Sequence, residues 1–162
     1  IKGLKSYGGV RRRFEIKGIK NDIMVVDDYA HHPTEVSATL QAARNGWDRR
    51  IIAVFQPHLY SRTKDFHKEF AAAFMNSDIL VITDIYPARE LPIKGINGEL
   101  VYNSARSIGH KNVHYVPNIE NIKECLDGLV KSNDMIITIG AGTIWRYGQA
   151  YFEHLKKLKD AS

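Results

Sequence analysis

Two short segments concentrate the residue types that handle protons, phosphates and carboxylates. The first is Asp27-Asp28-Tyr29-Ala30-His31-His32-Pro33-Thr34-Glu35, with two acids, an aromatic and two imidazoles just ahead of a helical spacing. A helix N-terminus offers unpaired N–H groups and favours anions. An Asp there could accept from ribose hydroxyls, and a His could donate to phosphoryl oxygens or to an oxyanion. Equally, one Asp or His could do no more than cap the helix. Adjacent imidazoles project in different directions, so His31-His32 is a poor metal pair without further ligands, and no metal site is expected.

The second segment is Gln56-Pro57-His58-Leu59-Tyr60-Ser61-Arg62-Thr63-Lys64. Arg62 could clamp a carboxylate or phosphate through two N–H groups, and His58 could donate a hydrogen bond or move a proton. The alternative is a surface Arg and Lys beside a capped helix. A third stretch, Gly140-Ala141-Gly142-Thr143, permits a tight turn and close backbone approach. It lacks the third glycine of a dinucleotide fingerprint. Turn geometry explains it as well as a pyrophosphate site would. Arg11-Arg12-Arg13 is too short and too poor in aromatics for a nucleic-acid stripe. A solvated run with one Arg turned to a ligand is expected instead, and no nucleic-acid partner.

These segments need elements to hold them. Ile23-Met24-Val25-Val26 is an unbroken apolar run, and similar runs recur at Ile51 to Phe55, Ile79 to Thr83, Val113 to Val116 and Met135 to Ile139. Continuous apolarity predicts strands covered on both faces. Between the runs the period becomes helical: Val36, Leu40 and Ala43 behind Pro33 and ahead of Gly46; Phe66, Phe70, Ala73 and Phe74 behind Thr63 as a cap; Val101, Ala105 and Ile108 ended by Gly109; Ile122, Leu126 and Leu129, with Cys125 as an inert core thiol; and Ile144, Tyr147, Tyr151, Leu155 and Leu158. An edge strand is expected from Phe14 to Lys17, joined to Ile23 through Lys20-Asn21-Asp22. Tyr86 to Asn97 has no regular pattern and reads as a surface loop of a length that is often functional. The alternation predicts an α/β fold: a three-layer, Rossmann-like, mostly parallel sheet of about six strands with helices on both faces. Working residues in such a sheet lie beyond the carboxyl ends of the strands, after Val26, Phe55, Thr83 and Ile139.

Composition narrows the classes. The chain has 162 residues, 44% hydrophobic and 25% charged, with a net charge of +5 and one Cys. These are ordinary values for one globular domain, spanning residues 1–162. A single Cys excludes an internal disulfide and a Cys-based zinc site, and favours a reducing, cytoplasmic setting. No apolar run approaches the roughly 20 residues that span a bilayer, so no membrane partner is expected. A start at Ile1 rather than Met suggests a piece of a longer chain.

Three stretches resemble the C-terminal domain of Mur ligases: Gly9-Val10-Arg11-Arg12-Arg13-Phe14-Glu15, then Asp27 to Glu35, then Phe55 to Thr63. The Asp-Tyr-Ala-His core is shared across the family. The fuller Asp27–Glu35 stretch and the Phe-Gln-Pro-His-x-Tyr-Ser-Arg-Thr stretch resemble the branch that joins L-alanine to UDP-N-acetylmuramate for peptidoglycan synthesis. The resemblance implies that ATP activates the muramyl carboxylate as an acyl phosphate, which the amine of L-alanine attacks. It implies that this domain closes over ATP and brings the amino acid. ATP and magnesium would be held mainly by a central domain, and the UDP-sugar by an N-terminal domain, neither present in this chain. By the same resemblance Arg13, Asp28 and Tyr29 are nucleotide-binding, with Asp28 on the ribose. His31, His58 and Arg62 are catalytic, and His58 and Arg62 line the alanine pocket. The Gly140–Thr143 loop would border that pocket. Leu59 stands where many relatives carry Arg, and no contact is assigned to it. The isolated domain is expected to be inactive. Rivals are a stand-alone nucleotide-binding or regulatory module, the related murein-tripeptide recycling ligase, and a metal-dependent hydrolase using Asp27, Asp28, His31 and His58.

Overall fold

The computed structural model describes residues 12–158, so Arg11 and the start of the first resemblance stretch lie outside the described residues. The strands are β1 (Glu15–Lys20), β2 (Ile23–Asp28), β3 (Arg50–Phe55), β4 (Ile79–Thr83), β5 (Val113–Val116) and β6 (Asp134–Ile139). The helices are α1 (Pro33–Gly46), α2 (Tyr60–Ala73), α3 (Glu99–Ser107), α4 (Ile122–Leu129) and α5 (Ile144–Lys157). One six-stranded sheet has the order β1-β2-β6-β3-β4-β5. All its pairings are parallel except β1 with β2.

Every residue of β2, β4 and β6 is buried, as unbroken apolar runs require. One face carries α1, α2 and α3, with Leu40, Phe55, Phe70 and Phe74 at the centre. The other carries α4 and α5, with Ile122, Leu126, Ile144, Tyr151 and Leu155 against β2, β3, β4 and β6. The three-layer expectation holds. β1 is the expected edge strand, shifted to Glu15–Lys20, and its hairpin turns through Asn21 and Asp22, both at positive φ. That pair is the kind of turn that matches strand twist, and Asn and Asp tolerate it.

Four local expectations need correction. β5 is only half-buried throughout, because it is an edge strand with a neighbour on one side. Thr63 does not cap α2: the helix starts at Tyr60, and Thr63 lies one turn inside with its hydroxyl donating 2.8 Å to the Leu59 carbonyl. Phe66 lines an open groove between α1 and α2 and is not part of the fully buried core. Ile108 and Leu158 lie just past their helices and are exposed.

Parallel register explains why the working loops meet. β6 sits between β2 and β3, and Ile139 is level with both Asp28 and Phe55, itself level with Ile82. The chain therefore leaves four adjacent strands at one height.

At the opposite end, His110 is buried between the starts of β4 and β5. Its Nε2 lies 3.2 Å from the Ser77 hydroxyl, and its Nδ1 accepts the Asn112 N–H at 3.3 Å. Burial chiefly holds this imidazole below the ordinary histidine range. The unfolded chain takes up that proton near pH 6.5 and the folded chain resists it, so stability is complete above that value and falls on acidification. The urea midpoint should drop from pH 7.5 to 5.5, with a shallower slope in His110→Gln. Identical slopes in the two proteins would remove His110 as a cause.

Candidate active site

The site grows from a buried charge. Asp27, at the end of β2, is 1% exposed and accepts from the Thr138 hydroxyl on β6 at 2.7 Å. A carboxylate so deep in the fold needs a counter-charge, and Arg12 supplies it with Nε 2.9 Å from Asp27 Oδ2. Arg12 Nη2 also donates to the Gly140 carbonyl at 2.7 Å. Its guanidinium lies 5.0 Å from the centre of the Tyr29 ring and 6.0 Å from that of Trp145. Of the two described arginines of the cluster, Arg12 turns inward and Arg13 is exposed, and the first partner of Arg12 is the chain's own carboxylate.

Asp28 is also buried. Its Oδ1 accepts the Ala30 N–H and its Oδ2 the Phe14 N–H, both at 2.8 Å, so it shapes the loop it belongs to. It borders a cleft of about 400 Å³ with Arg13, Phe14, Tyr29, Glu35 and Thr39. Arg13 is exposed at the rim, and Tyr29 presents its ring to solvent at 45% exposure. His32 is the N-cap residue of α1, and Glu35 reaches back to accept the N–H groups of His31 and His32 at 3.0 and 3.1 Å, closing a capping box. These N–H bonds and the neighbouring imidazoles lower the Glu35 pKa despite the burial that opposes them.

The two imidazoles of the first loop do diverge. His32 packs edge-on against Phe66, whereas His31 turns toward the second loop, its ring 6.0 Å from that of His58. His31 Nδ1 lies 3.0 Å from the Tyr29 carbonyl, which makes it the protonated nitrogen. His58 has the opposite tautomer, because its Nδ1 accepts from Arg62 Nη1 at 3.1 Å. Burial first, then the charges of Arg62 and His31, lowers the His58 pKa. His58 is thus a neutral imidazole with Nε2–H as its donor, locked to Arg62 one helical turn away.

The Gly140–Thr143 loop has a role sequence reasoning did not assign. Gln56, buried at the end of β3, turns its amide into the N-terminus of α5. Its Oε1 accepts the N–H groups of Thr143 at 2.8 Å and Ile144 at 3.0 Å, and its Nε2 donates to the Thr143 hydroxyl at 3.3 Å. The Thr143 and Ile144 N–H groups at the start of α5 are thus already paired, which favours the turn reading of this loop over a pyrophosphate site. The glycines serve close packing: a Cβ on Gly140 would come within 2.7 Å of the Gln56 carbonyl. One on Gly142 would come within 2.5 Å of both Gln56 Oε1 and Tyr86 Cγ.

The model for "Mur ligase, glutamate ligase domain" matches residues 12–142, from the inward Arg12 to the second packing glycine. The chain belongs to the Mur ligase family. A UDP-N-acetylmuramate–L-alanine ligase of Geotalea uraniireducens is 53% identical over 154 residues, covering 95% of this chain and 34% of that relative. The crystal structure of a UDP-N-acetylmuramate-alanine ligase from Thermotoga maritima matches with a TM-score of 0.80 at 28% identity, over 98% of this chain and 33% of that one. A murein peptide ligase of Psychrobacter arcticus shares the fold, with a TM-score of 0.76 at 23% identity, over 96% of this chain and 32% of that one. The chain thus spans about a third of the length of the curated relatives it matches.

Within this Mur ligase domain, the residues expected to act divide into two neighbouring groups. Arg13, Asp28 and Tyr29 surround the cleft beside α1, His58 and Arg62 lie across β6 from them, and His31 stands between, its ring 5.3 Å from Tyr29 and 6.0 Å from His58. Arg12, Gln56 and Tyr86 went unassigned because each acts through tertiary contacts; the inverted φ of 70° at Leu59, where the second loop turns into α2, likewise leaves no mark on sequence. Gln56→Leu keeps the bulk but strands the Thr143 and Ile144 N–H groups, which should cost about 1–3 kcal/mol in urea unfolding. Gln56→Glu, which keeps an acceptor, should lose less. An unchanged midpoint for Gln56→Leu would refute the capping role.

Proposed function

We propose that this chain is the C-terminal domain of a UDP-N-acetylmuramate–L-alanine ligase, and that it closes over ATP and delivers the amino acid to the activated muramyl carboxylate. The observation that carries this is the His58–Arg62 pair at the end of β3, facing His31 across the strand ends. It supports a site for a small zwitterion. Arg62 is a permanent, planar cation suited to a carboxylate fork. His58, kept neutral, offers Nε2–H as a donor and adds no second positive charge to repel an ammonium group.

ATP supplies the phosphoryl group that turns the muramyl carboxylate into an acyl phosphate. The cleft of Arg13, Phe14, Asp28 and Tyr29 fits the nucleoside end of such a molecule: an exposed ring for stacking, a cation at the rim and a carboxylate within. Among the described residues no group of three His, Cys, Asp or Glu could hold a metal ion. In this proposal magnesium belongs with the ATP phosphates and a central domain outside this chain. His31, fixed through Nδ1 and lying between cleft and pair, would meet the reacting phosphoryl or acyl group with Nε2. The chain's contribution is positioning and charge stabilisation, which an acyl-phosphate route requires more than a protein nucleophile. No helix of the described residues is long and apolar enough to cross a membrane; a cytoplasmic setting with UDP-N-acetylmuramate and the N-terminal and central domains as partners completes the proposal.

The test is Arg62→Ala in the full-length ligase. Loss of a charged hydrogen-bonded fork of about 1.5–3 kcal/mol should raise the L-alanine KM about 10- to 100-fold, while the UDP-sugar KM changes little. Equal loss for both substrates would remove Arg62 from the amino-acid site.

A further inference from the structure

We propose that Tyr86, from the loop after β4, is a positioning residue that sets the ring of His58 and the turn carrying Arg62. The inference rests on His58 and Arg62 being the amino-acid pair. Tyr86 touches neither cleft nor substrate in this scheme; it acts through its neighbour.

Three sets of contacts carry it. The rings of Tyr86 and His58 are stacked, 5.8 Å apart and 14° from parallel. The backbones are tied on both sides of the imidazole: Tyr86 N–H donates to the Pro57 carbonyl at 2.8 Å, and Leu59 N–H donates to the Tyr86 carbonyl at 3.0 Å. His58 and Tyr86 thereby form a parallel bridge that prolongs the β3–β4 pairing beyond the sheet. Behind the phenol ring stands Gly142, where any Cβ would lie 2.5 Å from Tyr86 Cγ and 2.8 Å from its Cβ. Tyr86 is a wedge between bare glycine backbone and imidazole.

The physical need for a wedge is plain. Rotation of an imidazole about χ2 is soft, and a ring that swings would give up the 3.1 Å bond from Arg62. A parallel aromatic face stops the swing and keeps water off that side. The Leu59 turn needs support as well, since a left-handed backbone at a bulky residue persists only where its surroundings impose it. The same loop provides a second fastening. Glu90 accepts the Ser61 N–H through Oε1 at 3.2 Å and Oε2 at 3.1 Å, at the first turn of α2 that carries Arg62.

The experiment follows the His58 imidazole nitrogens by NMR in this chain, with backbone spectra checking the fold. Tyr86→Phe should keep the Nε2–H tautomer and the lowered pKa. Tyr86→Leu should mix the tautomers and let the pKa rise toward about 6.5. Gly142→Ala, which presses first on Tyr86 and Gln56, should disturb the same resonances. A folded Tyr86→Leu with a wild-type His58 signal and titration overturns the proposal. If that variant does not fold, Gly142→Ala decides: an unchanged His58 overturns it.

A kinetic arm uses the full-length ligase. Tyr86→Leu should raise the KM for L-alanine ~10-fold with the ATP KM within about twofold, and Tyr86→Phe should restore it. A parallel rise in both KM values overturns the proposal. A His58 that responds by NMR in an enzyme indifferent to L-alanine refutes the proposed substrate and supports the positioning role.

Discussion

The Gln56 side chain ties the strand ends together. Its amide closes the N-terminus of α5, satisfying donors that a buried helix end cannot leave unpaired. Its own backbone N–H donates 3.1 Å to the Ile139 carbonyl, so β3 and β6 stay paired one residue beyond their ladders. The glycines at 140 and 142 follow from it, because nothing larger fits between that amide and Tyr86. A helix start that in many α/β proteins receives a phosphate here receives a glutamine, and ligand chemistry is left to the loops on either side.

Those sides are built differently. Toward β1 the organising element is the buried Asp27 charge, which fixes Arg12 and through it Gly140 and Tyr29. Toward β4 there is no buried charge among the described residues. The organising element is stacking and backbone bonding around a neutral imidazole, His58, with Arg62 the cation at hand. A rigid carboxylate-held wall beside the Asp28 cleft and a softer aromatic-held cation beside it differ in character. In our proposal the first serves ATP and the second an amino acid.

The sheet was legible because burial on both faces writes itself as unbroken apolar runs, and β2, β3, β4 and β6 lie where those runs are. β5 shows the limit: Val113, Tyr115 and Val116 around His114 do not say whether a strand has two neighbours or one. The expected start of α2 lies four residues late because Thr63 is a good cap by type, while the true boundary is set by the positive φ of Leu59 and the Tyr86 carbonyl. Asp28, His31, His58 and Arg62 stood out because their residue types sit at strand-to-helix turns. Gln56, Arg12 and Tyr86 did not, since an amide, one arginine of three and a loop tyrosine gain meaning only when β6 inserts between β2 and β3. Composition carried least: a net charge of +5 says nothing of which arginines are paired, as Arg12 is with Asp27 and Arg50 with Asp134.

The central claim is that the neutral His58–Arg62 pair serves an amino acid in a ligase that charges UDP-N-acetylmuramate. The most direct measurement is phosphate release by the full-length enzyme, with each substrate withheld in turn and with L-alanine replaced by glycine, serine or the murein tripeptide. Turnover should require ATP, UDP-N-acetylmuramate and a small free amino acid together. Turnover with the tripeptide and none with L-alanine would contradict it.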